Sequence, residues 1–251
     1  MANPYIILPL AVAVLLTLSP CVKAAHPLIT DDSGTEGKNH LQFELNNELS
    51  RDGAQDAGEH SITVAYGIHE SADFLFTVPY LVSRVRDPRP VQMDSGIGDI
   101  GFELKWRYWE RDGWSLAARP GATVMSGNED RGFGSGRAGY SFFSILSRES
   151  GPTALHLNLG YIGNENKLDE RVNLWHASIA AGYELVEGLQ AVVDFRGQGN
   201  PDKTNRQSPV AFVGGLIYSL HENLDLDVGY KTGLNAAEAG DAILFGLAYR
   251  L

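Results

Sequence analysis

The 251-residue sequence predicts an all-β fold, a 12-stranded antiparallel transmembrane β-barrel of the outer-membrane type behind an N-terminal signal peptide. Three observations predict it. Apolar and polar residues alternate with period two in about twelve stretches after residue 40; short and long polar links alternate between those stretches; and nothing after residue 25 is apolar for long enough to form a membrane helix. A chain that spans lipid without such helices does so as a closed barrel, because only these two forms pair every backbone group internally.

The leader comes first, since a targeting segment is removed before a fold is read. Tyr5 to Leu18 is almost wholly apolar and is followed by Pro20, Lys23 and the small pair Ala24-Ala25, so residues 1–25 read as a signal peptide. Cys21, the one cysteine, would leave with it, which excludes disulfides and thiolate metal sites from the remaining 226 residues. The formal charge of −11 becomes −12 without Lys23, which argues against a nucleic-acid partner. No cofactor, metal site or catalytic residue is expected. Residues 26–40 then form a periplasmic N-terminal segment and 41–251 the barrel.

The expected strands run over 40–50, 60–68, 73–84, 97–109, 114–126, 138–147, 153–162, 174–185, 189–197, 208–220, 223–234 and 241–251. Each is close to the 9 to 11 residues of a tilted membrane strand. Short links at 69–71, 110–113, 186–188 and 221–223 alternate with longer ones at 51–59, 85–96, 127–137, 163–173 and 198–207, while "SRESGP" at 147–152 is intermediate. Barrels of this type have short periplasmic turns and long external loops, which places both termini in the periplasm. A weak repeat, "YGIHESADF", "YELVEGLQA" and "YSLHENLDL", marks three of the tight ends. Pro79 and Pro120 fall inside strands, where each removes a ladder donor, so a bulge or local break is expected at both. Residues 138–148 fit either register.

Parity sorts the side chains. Leu41, Phe43 and Leu45, Ile62 and Val64, Phe74 and Phe76, Leu104 and Trp106, Leu226 and Val228, and Ile243 and Phe245 share an outward face. Tyr66, Tyr108, Tyr183, Tyr218 and Tyr249 mark one rim of it, and Tyr80, Tyr161, Trp175 and Tyr230 the other, as aromatic girdles do. The inward face carries the candidate lumen-lining residues Glu44, Glu48, Glu103, Lys105, Arg107, Arg119, His156, His176, Asp194, Arg196, Asp225, Asp227 and Lys231. These read either as a solute path or as a satisfied ion-pair network. Eight strands enclose a filled interior and sixteen an open channel, so twelve predict a narrow, partly plugged pore. His26, Pro27, Asp31 and Asp32 are the candidate plug.

Two motifs look chemical. "GIGDIG" at 96–101 has the spelling of a dinucleotide fingerprint, but it opens a strand where the fingerprint needs a strand before and a helix after. "WHAS" puts His176 and Ser178 on one face with Glu184, which raises an outer-membrane lipid hydrolase as an alternative; parity points all three inward, away from lipid.

The mature start "HPLITDDSGTEGK", the run into "QFEL", and the segments "SGIGDIGFELKWR" and "GFGSGRAGYSF" resemble the MetA-pathway of phenol degradation family of outer-membrane transporters. The resemblance covers most of the chain after the leader. It implies a barrel that helps small, often aromatic or hydrophobic, compounds across the envelope, with outer-membrane lipid and a small-molecule solute as partners. A non-transporting structural or interaction barrel is the remaining alternative.

Overall fold

The computed structural model describes residues 26–86, 92–238 and 240–251, so the expected signal peptide and Cys21 lie outside the described residues. Thirteen strands follow in order: β1 (Leu41–Asp52), β2 (Gln55–His69), β3 (Ala72–Val85), β4 (Gln92–Ile97), β5 (Ile100–Arg111), β6 (Trp114–Val124), β7 (Gly139–Ser150), β8 (Thr153–Gly163), β9 (Asn173–Val186), β10 (Leu189–Gln198), β11 (Val210–His221), β12 (Leu224–Gly233) and β13 (Asp241–Arg250). Sequential neighbours pair antiparallel, and β1 closes the ring on β13. β3 pairs with β5 over Ala72–Thr77 and with β4 over Tyr80–Val85. β4 and β5 are therefore two halves of one stave, and the barrel has twelve.

The break between the halves has a local cause. Pro79 has no N–H to donate, yet its carbonyl accepts Gly98 N at 2.9 Å. One residue on, Asp99 turns its carboxylate to Gly127 N at 3.0 Å and Ser135 N at 2.8 Å. The far edge of β4 consequently meets the 125–138 link instead of a strand: Arg131 binds the Asp94 carboxylate, and Phe133 lies on Gly96, where an added Cβ would sit 2.9 Å from its ring. At Pro120 the register of β6 on β5 does not shift, but the ladder omits Leu104 and Lys105; the bulge lies further along, between Arg107 and Trp109.

Three expected links are shorter or more ordered than their composition suggests. Residues 51–59 are mostly strand, because β1 and β2 pair as far as Asp52 and Gln55 around a two-residue turn, with Arg51 bonded to Asp56 at 3.0 Å. Within 85–96, residues 92–96 belong to β4. "SRESGP" narrows to the two-residue turn Gly151-Pro152. Charged residues in a strand that projects beyond lipid look like loop in a sequence, since water reaches both faces. The two-residue turns 70–71, 112–113, 151–152, 187–188 and 222–223 thus connect staves at one end, hereafter the two-residue-turn end, and the 53–54 turn and the links 125–138, 164–172, 199–209 and 234–240 lie at the other.

The outward parity holds: Ile62, Trp106, Leu159, Val228 and Ile243 are all more than half exposed. Both aromatic rims stand on this exposed face, joined by Tyr140. The inward parity is only partly polar. Phe143, Ile145, Val192, Val213, Ile217 and Leu244 also point inward and are buried. Residues 138–148 fit two registers because both of their faces are apolar: Tyr140 and Phe142 face out, Phe143 and Ile145 face in.

Candidate functional site: an occupied barrel interior

Residues 26–36 lie inside the barrel. The chain enters from the two-residue-turn end, where Gly67 N donates to His40 O at 2.9 Å and Asn39 N to Gly67 O at 2.8 Å. Glu36 N donates to Asp73 Oδ2 at 2.9 Å, and Thr35 Oγ1 to Glu70 O at 3.0 Å. Ser33 meets Ser147 Oγ through its N–H at 3.0 Å and Ser115 Oγ through its hydroxyl at 2.5 Å. Then the segment crosses the bore. Asn158 grips Asp31 on both sides of its backbone, accepting from N at 2.8 Å and donating to O at 2.8 Å. Asp194 accepts Ile29 N at 2.8 Å, Thr30 N at 2.7 Å and Thr30 Oγ1 at 3.0 Å. His26 ends the crossing on Asp227, 2.6 Å away.

A segment with no sheet partners must find its hydrogen bonds elsewhere, and these inward side chains supply them. The charge on the segment is met as well: the Asp31 carboxylate binds Lys105 Nζ at 2.8 Å and Arg119 Nη1 at 2.6 Å, with Asp32 3.9 Å from the same ammonium. Pro27 is seated by absence of side chain. Gly215 and Gly229 face each other across β11 and β12, and a Cβ on either would come within 2.7 Å of the proline ring.

The predicted lumen residues separate into groups. Lys105, Arg119, Asp194 and Asp227 hold the segment directly. His156 does so at one remove, through Ser147 Oγ at 2.9 Å. Glu103 lies 3.4 Å from Arg119 Nε, within ion-pair range though too poorly aligned for a hydrogen bond. Glu48 pairs with Lys231, Arg196 with Glu238 at 2.5 Å, and Asp225 with Arg250 at 2.6 Å. Glu44 accepts from Gln42 at 2.6 Å and Asn46 at 3.1 Å. Arg107 stands apart at the two-residue-turn end, 3.3 Å from Glu110. His176 does bond Ser178, at 3.1 Å, but both are buried inside the barrel, and Glu184 lies eight residues along the strand, about 26 Å away at strand rise. No catalytic triad forms there.

Between the crossing segment and the wall of β1, β2, β3, β5 and β6 remains a cavity of about 200 Å³. Its carboxylates are Asp31, Asp32, Glu36, Glu44, Asp73 and Glu103; its fixed cations are Lys105 and Arg119. The site residues absent from the sequence-based set are Asn158, Ser115, Ser147, Asp73 and the Gly215–Gly229 notch. Asn158 has the inward parity, but nothing local marks any of them as a partner of a segment more than thirty residues away.

At the opposite end the long links are pinned to one another. Arg171 directs its guanidinium at four carbonyls of the 199–209 link: Asn200, Asp202 and Asn205 at 2.7 to 2.9 Å and Lys203 at 3.0 Å. Lys167 reaches Glu129 and Lys203 reaches Asp169, each at 2.5 Å; these hydrogen bonds hold both carboxyls below the usual carboxylate range.

Solved structures share the architecture. An outer membrane channel of the COG4313 group from Pseudomonas putida F1 superposes with a TM-score of 0.68 at 13% identity, covering 87% of this chain and 97% of that one. The NanC porin gives 0.61 at 10% identity, covering 83% and 100%, and the KdgM porin 0.59 at 7%, covering 83% and 98%. At such identities the likeness is one of fold. No curated protein sequence matches the chain. The profile of one family, described as "Putative MetA-pathway of phenol degradation", matches residues 31–251, from the anchor carboxylate at Asp31 to the last residue; the chain belongs to that family.

Proposed function

We propose that the protein is a passive channel of the bacterial outer membrane, with the turns 70–71, 112–113, 151–152, 187–188 and 222–223 and both ends of the barrel chain in the periplasm, and that residues 26–36 act as its plug. The observation that carries this reading is the cavity beside the crossing segment: a closed membrane barrel that retains a polar-walled space along one arc of its bore. The solute class that fits is small and carries little negative charge, in keeping with the small aromatic or hydrophobic compounds that the family description suggests. KdgM has been crystallised with oligogalacturonate, a polyanion. Six carboxylates against two fixed cations make this cavity a poor host for such a chain.

The test is conductance in planar bilayers, together with solute uptake by cells that lack the gene. Wild-type protein should open a small conductance, and deletion of residues 27–37 should raise it several-fold. Insertion without conductance in either form, with unchanged uptake, would turn the reading into a structural barrel. The hydrogen-bonded crossing is the observation that favours that second reading, since every anchor named above must be broken to clear the bore.

A further inference from the structure

A second cavity, of about 350 Å³, lies at the long-link end of the bore, and none of residues 26–36 lines it. Phe143 and Ile162 give it an apolar floor, and the hydroxyls of Thr123 and Ser141 stand along its wall. Ser141 and Ile162 face each other across β7 and β8, two residues nearer the long links than Phe143. The two carboxylates at its edge are already engaged. Asp99 accepts Gly127 N, Ser135 N and Ser135 Oγ at 2.7 to 3.0 Å, and Glu165 lies 3.9 Å from Arg137. An apolar cavity of about 150 Å³ holds one benzene ring, so this space has room for a ring with a polar substituent.

The floor of this cavity is tied to the anchor of the crossing segment. Arg119, Phe143, Gly160 and His176 sit side by side across β6 to β9 on the inner face. Gly160 has no side chain, and a Cβ there would overlap the Phe143 ring; the ring therefore lies across it and meets His176 edge-on, 5.2 Å between centroids. Arg119 lies over the same ring, its Cζ 5.0 Å from the centroid, and binds the Asp31 carboxylate through Nη1 at 2.6 Å. One guanidinium thus joins the cavity floor to the segment in the bore. Glu103 constrains it less, being 3.4 Å from Nε and out of hydrogen-bond alignment.

We propose that this cavity captures a small uncharged ring compound bearing a hydroxyl group, and that filling it loosens residues 26–36 through Phe143 and Arg119, a latch between mouth and plug. The inference rests on the plug reading above. An apolar floor beside hydroxyl groups suits such a molecule. An acid would meet two carboxylates, and an amine would find both of them engaged. A guest that packs on Phe143 turns the ring, because aromatic pairs take offset or edge-on contacts in preference to a face-to-face sandwich. The guanidinium over that ring must turn with it or leave it, and the contact at stake is the one to Asp31. Such coupling is reciprocal: the factor by which the guest favours plug release is the factor by which plug release favours the guest.

Hydrogen exchange of the detergent-solubilised full-length protein tests it, with benzyl alcohol as probe and benzoate and benzylamine as charged analogues of similar size. The alcohol should speed exchange at residues 27–31 about fivefold, an ordinary size for coupling between two sites, and the effect should saturate; neither analogue should produce it. Affinity for the alcohol, read by titration calorimetry, should tighten by the same factor when residues 27–37 are deleted. Ile162→Trp, which fills the cavity, should abolish binding and the exchange response together. Should that variant fail to fold, the comparison of the alcohol with its charged analogues decides. Equal responses to the three probes, an exchange response that survives in Ile162→Trp, or an affinity untouched by the deletion overturns the proposal. Conductance of the deletion variant separates the two levels: no change there overturns the plug reading and the latch with it, while a raised conductance with no exchange response to the alcohol overturns the latch alone.

Discussion

Asp31 concentrates the forces that hold the segment. Its backbone is clamped by Asn158 and its carboxylate by two cations, all within 2.6 to 2.8 Å. Removing one partner of a largely enclosed pair leaves the others desolvated and uncompensated, at a cost of about 1.5 to 3 kcal/mol where water still has some access. Asp31→Asn should therefore loosen residues 26–36 without unfolding the barrel, read as an increased conductance with an unchanged heat-stable band on a gel. Gly229→Val should act similarly from the other end, because even its Cβ would meet Pro27 at 2.7 Å; faster hydrogen exchange at residues 27–31 checks it. Lys105, Arg119, Asp194 and Asp227 were legible as inward residues from alternation alone. What each one binds was not, because the bonds join positions far apart in sequence and leave no local pattern.

Among the elements, the staves were the most legible and the links the least. Period two survives wherever one face meets lipid and the other meets polar groups, as in "QFELN" and "LDLDVGYK". It fades where both faces are apolar, as at Phe142–Phe143 and Leu216–Ile217, so the packed part of the interior could not be foreseen. The 199–209 link shows how a polar stretch becomes ordered: four of its carbonyls converge on one guanidinium. Arg171→Met should leave conductance in place and expose this link to protease, a change that limited proteolysis of the purified protein would show. The Glu129–Lys167 and Asp169–Lys203 pairs couple these links to pH with a defined sign. Both carboxyls are depressed, so the pairing is complete above the ordinary carboxylate pKa and is lost as pH falls through the lowered values. Channel noise from moving links should rise only in acid, and a rise at alkaline pH instead would contradict the assignment.

For the whole molecule, the distribution of charge over the bore decides more than its total. The arc of β1, β2, β3 and β5 bears Glu44, Glu48, Glu59, Asp73 and Glu103 with small polar neighbours such as Ser61 and Thr63, while β9 to β13 supply much of the apolar packing. Glu48 and Glu59 stand directly opposite each other across β1 and β2, with Lys231 bound to the first. Current through the residual space should be carried mainly by cations, and the preference should weaken as salt screens the wall. A reversal potential under a potassium chloride gradient measures it, and Glu48→Gln with Glu59→Gln should reduce it. Barrel type and strand number followed from the sequence because lipid imposes the alternation on every stave; the filling of the bore did not, since a crossing segment has no period of its own. That segment also sets an order of events. Its first residue bonds a partner 201 positions later, and its other anchors are spread over β3, β5 to β8 and β10 to β12. The segment thus precedes in the chain every stave that seats it, and His26 has no partner until β12 is in place. On the plug reading proposed above, the bore fills only after its wall is built, so sealing is the closing step of assembly and falls to residues that stand before every strand.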